Sequence, residues 1–330
     1  MKNIKKKMFT RVLPMVFFPV LFSGCKSTTP PDWYAVETVN HPEYVYAVGE
    51  GRSLNLAKKS ALSGVNSQLW TQVDSTFSMN DVYKKINDNT TSYESTSNKI
   101  NAKSAQVTLT GVEYVRSEKN DVAYYVQARV GRDNIKSQLL SEVKQIESAA
   151  KLKIDNLSHQ DKLIWWLDNR GSEAKLEDLY VRLAILSSLG SDEKNSVVYL
   201  PKMLGDISKV KSELLVSIRP DKKDRKSAAF ISEKFSVEGI ATTQSSSRQA
   251  THILTMKSEY RRGMVGDAYI TTKLTDLVLK NKAGKTLASN EIISTGNSMT
   301  SYKLSQEGAE RHFSALLEEA GIWQAVGLKK

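Results

Sequence analysis

Residues 270–294 read ITTKLTDLVLKNKAGKTLASNEIIS, and this stretch decides the class of the fold. Residues 270–279 consist mostly of Ile, Val, Leu and Thr, and residues 287–294 contain Leu287, Ile292 and Ile293, which is typical of strands. Between the two runs, residues 281–284 read NKAG, a polar segment that ends in glycine. Two strand-like runs joined by a short turn that contains glycine predict an antiparallel β-hairpin.

The segments on either side of this hairpin alternate between strand and helix patterns. Residues 221–238 have one apolar helical face and are followed by Gly239, and glycine commonly ends helices at this position. The other predicted elements are strands at 214–218, 240–244 and 252–260 and a helix at 305–320. The order β-α-β-β-β-β-α segregates the helices from a mostly antiparallel sheet, which predicts an α+β domain over residues 211–330.

Residues 134–210 show helical spacing throughout. Apolar residues from 135 to 157 recur every three or four positions, which predicts one long amphipathic helix. Shorter helices are predicted at 162–167 and 174–189, and the Trp165-Trp166 pair is interpreted as packing and not as a ligand platform. This segment is therefore predicted to be a helical connector.

Residues 43–133 are predicted to form a first α+β domain. Residues 44–48 read as a short strand that Gly49-Glu50-Gly51 turns, and Ser53 is a candidate N-cap for the helix that follows. Apolar residues recur every four positions along that helix, at Ala57, Ala61, Val65, Leu69, Val73 and Phe77.

Two more strands complete the prediction for this domain. Residues 122–130 alternate as in a half-buried strand, and 107–115 are the expected antiparallel partner across a turn at 117–121. The alternation slips at Gly111, which predicts a β-bulge there. Residues 87–104 are either a solvated edge strand or a long loop. The chain is thus predicted to contain two small α+β domains with mostly antiparallel sheets, joined by a helical segment.

The first 24 residues have the three regions of an export signal. A basic start precedes the apolar run 12–22, which is too short for the roughly 20 helical residues that span a bilayer core. Ser23-Gly24-Cys25 then resembles a lipobox, although Phe22 stands where leucine is usual. Residues 1–24 are therefore predicted to be a signal peptide and Cys25 the lipid attachment site, with residues 25–42 as anchor and tether. The alternative is an ordinary secretory signal with a chance cysteine.

Several function classes become less plausible with this interpretation. Cys25 is the only cysteine of the chain, so acylation would leave no thiol for a disulfide. Five of the 47 Lys and Arg residues lie in residues 1–24, so 42 remain against 36 Asp and Glu, a net charge of +6. Export and this mild charge argue against nucleic acid as a partner. Lys26 after the cysteine favours attachment to the outer membrane, with the protein facing either the periplasm or the outside of the cell.

Short motifs near the predicted mature N-terminus resemble those of the Lpp-twenty lipoprotein family. They are Pro31-Asp32-Trp33, the run from Tyr46 to Gly51, the alanines Ala57 and Ala61, and Val-Ala-Tyr-Tyr-Val-Gln-Ala at 122–128. The resemblance covers about residues 30 to 135. It implies an outer-membrane or surface lipoprotein without known catalysis, related to accessory lipoproteins of flagellar outer rings.

No residue set in the sequence has the spacing of a catalytic or metal site. Gly49-x-Gly51 lacks the third glycine of a dinucleotide turn, because position 54 is leucine. The four histidines are isolated from one another, and the carboxylate pair Asp221 and Asp224 is interpreted as a surface feature of a helix start. We therefore expect no enzyme activity and no cofactor beyond the lipid on Cys25.

The candidate partner surface consists of Trp33, Tyr44, Arg261 and Arg262. Arg261 and Arg262 follow an aromatic residue and precede a glycine-rich segment, which suits an acidic or polysaccharide partner or, alternatively, a solvated hairpin tip. The sequence thus favours a lipid-anchored binding or assembly module of the cell envelope, with a protein partner or self-assembly and with a flagellar or surface accessory role as one form. A periplasmic hydrolase with a dispersed site and a lipoprotein activator of a cell-wall synthase are the alternatives.

Overall fold

The computed structural model describes residues 28–35, 41–71, 107–191, 193, 196–245 and 247–328. These residues form two sheets, one of three strands and one of five, with helices packed on both, so the predicted α+β class is confirmed. The predicted signal peptide, Cys25, the helix positions Val73 and Phe77, and residues 87–104 lie outside the described residues.

The first sheet is antiparallel and is covered by one helix. Its strands β1 (Tyr44–Gly51), β2 (Glu113–Lys119) and β3 (Tyr124–Gly131) lie in the order β1-β3-β2, and helix α1 (Leu54–Thr71) packs across β1 and β3. Ser53 caps α1, since its Oγ accepts a hydrogen bond from the Leu56 N–H. The described part of the predicted stripe is fully buried: Ala57, Ala61, Val65 and Leu69.

The glycines at the end of β1 have a different role from the predicted turn. Strand β1 runs on through Gly49 and Gly51, which pair with Val126 and Tyr124. A Cβ atom at Gly49 would lie 2.1 Å from the Ala61 nitrogen, closer than any real contact allows. The turn interpretation is therefore wrong: glycine is needed because the α1 backbone approaches the strand too closely for any side chain.

Strand β2 begins and ends later in the chain than the sequence predicts. The segment before it is not in a strand, and Gly111 bends the chain there with a φ of +69°. The register shift lies between Tyr114 and Arg116, so the predicted bulge at Gly111 is wrong and the irregularity falls at Val115. The turn lies at Asn120, whose Oδ1 accepts from the Val122 and Ala123 N–H groups.

Four helices follow, of which the spacing predicts the first three. They are α2 (Arg132–Asn156), α3 (Lys162–Asn169), α4 (Ala174–Ser188) and α5 (Tyr199–Glu213). Helix α5 starts without a capping side chain of its own. The buried Glu147 of α2 replaces it, because its carboxylate accepts from the N–H groups of Val198, Tyr199 and Leu200 at 2.7–2.9 Å.

The helical segment also packs against the second sheet and its helices. Trp165 and Trp166 are buried, as predicted for packing residues, and the Trp166 ring lies 5.8 Å from that of Trp323. Asp161 caps α3 through the Leu163 N–H and also lies 3.0 Å from Nε2 of His252 at the start of a strand. The buried apolar residues of the segment and of the C-terminal unit therefore belong to one core.

The second sheet contains strands β4 (Leu215–Pro220), β5 (Ala241–Thr243), β6 (His252–Val265), β7 (Ala268–Asn281) and β8 (Thr286–Ser298). Their order is β5-β4-β6-β7-β8, with β4 parallel to both of its neighbours and β6, β7 and β8 antiparallel. The predicted hairpin consists of β7 and β8, and with β6 it forms three long antiparallel strands in which β7 is central. The predicted element order is confirmed.

Helices α6 (Arg225–Val237), α7 (Tyr302–Ala320) and the short α8 (Ile322–Ala325) accompany this sheet. The face of α6 that packs inwards is the predicted one, Ala228, Ile231 and Phe235, and all three are buried. Along β7, residues 271, 273, 275, 277 and 279 are buried under the helices, whereas residues 270, 272, 274, 276 and 278 keep some exposure. One face of the sheet is therefore covered by helices and the other faces solvent.

Gly49→Ala is expected to destabilise the protein by about 1–3 kcal/mol or more, because the new methyl group overlaps the α1 backbone. Thermal unfolding followed by circular dichroism measures the effect. Gly205→Ala is the matched control, since nothing lies within 4 Å of a Cβ in that position of α5. The control should be neutral or stabilising by about 0.5–1 kcal/mol. Equal melting temperatures for both variants would contradict the close approach.

Candidate functional site

The most concentrated group of charges in the described residues lies between the second sheet and helices α6 and α7. Its centre is Lys273 of β7, which has no exposed surface. The Lys273 ammonium lies 2.8 Å from Oε1 of Glu310 and 3.5 Å from Oδ1 of Asp224, and it donates to the hydroxyl of Ser227. One cation and two carboxylates are thus brought together under the sheet.

Donors from strand β6 and helix α6 hold the two carboxylates in place. Asp224 ends a 3-10 turn just before α6, and its Oδ2 accepts from the Ser258 N–H at 3.0 Å. Glu310 belongs to α7 and accepts hydrogen bonds from the Tyr260 hydroxyl at 2.7 Å and from Ser227. Because each carboxylate also has a donor other than Lys273, both are placed by the fold and not by the lysine alone.

The surroundings of the cluster favour the charged form of Glu310. Burial alone would raise the pKa of Glu310, but hydrogen bonds from Lys273, Ser227 and Tyr260 outweigh it and lower the pKa below its ordinary value. Burial and the hydrogen bond to Glu310 raise the pKa of the Tyr260 phenol. The Lys273 ammonium also lies 4.9 Å from the centre of the Phe313 ring, in a cation–π contact.

This cluster could in principle transfer protons, yet it is closed to solvent. Asp224, Ser227 and Lys273 have no exposed surface, and Glu310 is 5% exposed. Neither of the two clefts that the structure describes is lined by any of them. The arrangement therefore acts as an ionic clamp that joins β7 to α6 and α7.

The sequence interpretation missed this cluster. Asp224 lies at the start of α6 as predicted, but it is buried, so its interpretation as a surface residue is wrong. A signal was present at Lys273, because it shares the two-residue alternation of Leu277 and Leu279, and a lysine on the apolar side of a strand needs a buried partner. The identity of its partners could not be predicted, since they come from helices far away in the chain.

The four residues of the candidate partner surface do not form one surface. Trp33 donates to Glu118 at the end of β2, and Tyr44 lies at the start of β1 with the Arg129 guanidinium 4.5 Å from its ring. On β3, Tyr125 lies opposite Glu118 and Gly131 lies opposite Tyr44. These two positions of β3 are six residues apart, which is about 20 Å at the rise of a strand. Trp33 and Tyr44 are both half-buried and contribute to the first sheet instead.

Arg261 and Arg262 lie within strand β6. The prediction that this strand ends at residue 260 and is followed by a loop is therefore wrong. The strand continues to Val265, and the hairpin turns at Gly266 and Asp267. Arg261 is exposed with Nε 3.0 Å from Glu259, whereas Arg262 lies 5.5 Å from the Tyr302 ring and 3.3 Å from Oε1 of Gln306. The two arginines thus lie next to each other on β6, near the turn of an extended hairpin.

The histidines occupy separate positions with local partners. His41 Nδ1 accepts from the N–H groups of Glu43 and Tyr44, His312 Nδ1 accepts from the Thr295 N–H, and the buried His252 lies between Thr251 and Asp161. In the described part of the chain, no group of three His, Cys, Asp or Glu residues could hold a metal ion. None of the described helices is long and apolar enough to cross a membrane.

The described residues form clefts, and two of them are open enough to admit a ligand or a partner. One lies between α2, α4 and α5 and has a volume of about 330 Å³. The other has a volume of about 550 Å³ and lies between the outer edge of β8 and the end of α7, where residues 290–293 face Leu316 and Ala320. The first is lined by three cationic side chains and the second by the acidic Glu291 and Glu319.

Comparison with known proteins gives structural likenesses only. No protein-family model matches the chain, and neither does any curated protein. The secreted protein HP1454 of Helicobacter pylori is similar with a TM-score of 0.44 and 13% identity, over 88% of this chain and all of that one. A minor lipoprotein of Acinetobacter baumannii is similar over 34% of this chain and 91% of its own, with a TM-score of 0.28 and 10% identity. The lipoprotein GNA1162 of Neisseria meningitidis gives a TM-score of 0.19 and 15% identity, over 32% of this chain and 95% of that one.

Lys273→Met is expected to cost about 3–5 kcal/mol in the free energy of unfolding, because the change leaves two buried carboxylates without their cation. Urea unfolding followed by tryptophan fluorescence measures it. Lys257→Met is the matched control, a lysine exposed on the solvent face of the neighbouring strand β6, and it should change the free energy by no more than about 0.5 kcal/mol. If both variants unfold at the same urea concentration, the clamp contributes nothing.

Proposed function

We propose that this protein is a non-enzymatic lipoprotein of the cell envelope that acts as a binding or assembly module. The observation that carries the proposal is the far half of strand β6, which extends past β4 and forms an edge of the sheet. Strand β4 ends at Pro220, opposite Met256, so β6 has no neighbouring strand on that side from residue 257 onwards among the described residues.

The far half of β6 exposes both of its faces. Residues 261–265 are all exposed, and Met264 and Val265 are 55% and 70% exposed. Met299, which follows the end of β8, adds a third exposed apolar side chain near the same end of the sheet. Apolar side chains next to unpaired backbone groups on an edge strand form a surface that readily pairs with another chain.

The arginines give this surface its selectivity. Charged residues on an edge strand discourage indiscriminate strand pairing, and arginine is enriched where proteins contact one another. Arg262 is held against Tyr302 and Gln306, so less side-chain entropy is lost when it binds. The surface made of Arg261, Arg262, Met264, Val265 and Met299, here called the hairpin surface, therefore suits an acidic protein partner with an apolar centre.

Attachment to the envelope rests on the sequence. The basic, apolar and small-residue regions that end at Cys25 support export and lipid modification, and Lys26 supports the outer membrane. The motifs around Trp33 and Gly49 support membership of the Lpp-twenty family. In this proposal the lipid holds the chain at the membrane and the hairpin surface contacts the partner.

Cys25→Ser is expected to abolish lipid attachment, because no thiol remains to accept the diacylglycerol. Metabolic labelling with a tagged palmitate and fractionation of membranes measure the change, and the unchanged protein should be labelled and sediment with the membranes. Ser23→Thr, a conservative change two residues earlier, is the control for expression and export. A Cys25→Ser protein that is still acylated and of mature size would overturn the lipoprotein assignment.

The double variant Arg261→Glu and Arg262→Glu is expected to lose complementation of a deletion strain, because reversing two charges repels an acidic partner. Melting temperature and membrane attachment should stay unchanged, since both side chains are on the surface. Lys282→Glu with Lys285→Glu is the matched control in the β7–β8 turn, at the opposite end of strand β7, and it should complement fully. If instead the arginine variant complements fully, the hairpin surface is not the partner surface and this part of the proposal is wrong.

A further inference from the structure

The cleft between α2, α4 and α5 combines an apolar floor with a cationic rim. Its volume is about 330 Å³, near the lower limit of ligand sites, which run from roughly 300 to 1,000 Å³. The floor is made of aliphatic side chains, Ile146, Ala149, Ala150, Leu200 and Met203, and the rim carries Lys153, Lys175 and Arg182 with Glu142 and Asp178.

One of the three cations is neutralised within the cleft. Arg182 Nε lies 2.6 Å from Oε2 of Glu142, and its Nη1 donates to the backbone carbonyl of Asp178 at 2.7 Å. The other oxygen of Glu142 accepts from the Gln138 amide at 2.7 Å. Glu142 is thus committed to Arg182 and Gln138. With Asp178 as the other carboxylate, the three cations leave the lining of the cleft with a net charge of +1.

Lys153 and Lys175 face each other across the rim. Burial and the nearby Lys175 ammonium lower the pKa of Lys153, so the structure holds two like charges together at a cost. The Lys153 backbone is fixed, since its carbonyl accepts from the indole N–H of the buried Trp165 at 2.6 Å. An anion placed between the two ammonium groups would turn this repulsion into attraction on both sides.

We propose that this cleft binds a small amphipathic anion, with a carboxylate or phosphate head between Lys153 and Lys175 and an aliphatic chain on the floor. The head gains two charge-assisted contacts, one with the partly buried Lys153 and one with the exposed Lys175. The chain covers Ile146 and Ala149, the two floor residues that keep exposed surface. The site lies in the helical segment and is separate from the hairpin surface, so it does not depend on the proposed function.

Titration calorimetry of the purified soluble chain, lacking residues 1–25, with octanoate and with octyl phosphate tests the proposal. Both should bind, while octan-1-ol and inorganic phosphate, which supply only the chain or only the head, should bind at least about tenfold more weakly. The relative affinities of the two amphiphiles show whether the natural head is a carboxylate or a phosphate. If octan-1-ol binds as well as octanoate, the lysines have no role and the proposal fails.

Variants locate the binding. Lys153→Met with Lys175→Met should weaken octanoate binding at least about tenfold, while Lys144→Met, an exposed lysine elsewhere on α2, should leave it unchanged. Without ligand, the single variant Lys175→Met should raise the melting temperature, because it removes the repulsion on Lys153. Octanoate binding that survives the double variant, or a lower melting temperature for Lys175→Met, would overturn the proposal even though the chain still folds.

Discussion

The second half of the molecule depends on the burial of one positive charge. Lys273 lies in the middle of the longest strands, and the free energy of transferring an isolated ammonium into a core would prevent folding. Asp224 and Glu310 remove that penalty only when α6 and α7 lie at one place on the sheet. The cluster therefore specifies where both helices dock, a role that hydrophobic contacts could fulfil in several registers.

The same arrangement explains why only one face of the sheet is free for contacts. With α6 and α7 on the Lys273 side and the helical segment packed through Trp166 and Trp323, the other face and the far end of the hairpin stay exposed. The clamp ends at Tyr260, and the next residues of β6 are the arginines of the hairpin surface. A rigid base directly below an exposed hairpin keeps that surface in a defined orientation, which reduces the entropy lost on binding.

The sequence predicts the helices and strands better than it predicts the side-chain contacts between them. Two-residue alternation and four-residue spacing locate the β6–β7–β8 strands, α1 and α6, because these signals are local. Gly49 and Gly51 were misinterpreted as a turn, since a glycine that admits a neighbouring helix looks the same in sequence as one that turns the chain. The continuation of β6 through Arg261 to Val265 was missed because Gly263 and Gly266 resemble loop residues. The partners of Lys273, Asp161 and Glu147 lie 37 or more residues away, and no local pattern encodes such contacts.

The central claim is that the hairpin surface contacts a partner in the envelope. Site-specific photocrosslinking in living cells tests it most directly, with a photoreactive amino acid at Met264 and, for comparison, at Lys282 in the β7–β8 turn at the other end of the sheet. The account predicts one discrete crosslinked product from position 264, dependent on Cys25, and none from position 282. Products from position 282 alone, or the same smear of products from both positions, would contradict it.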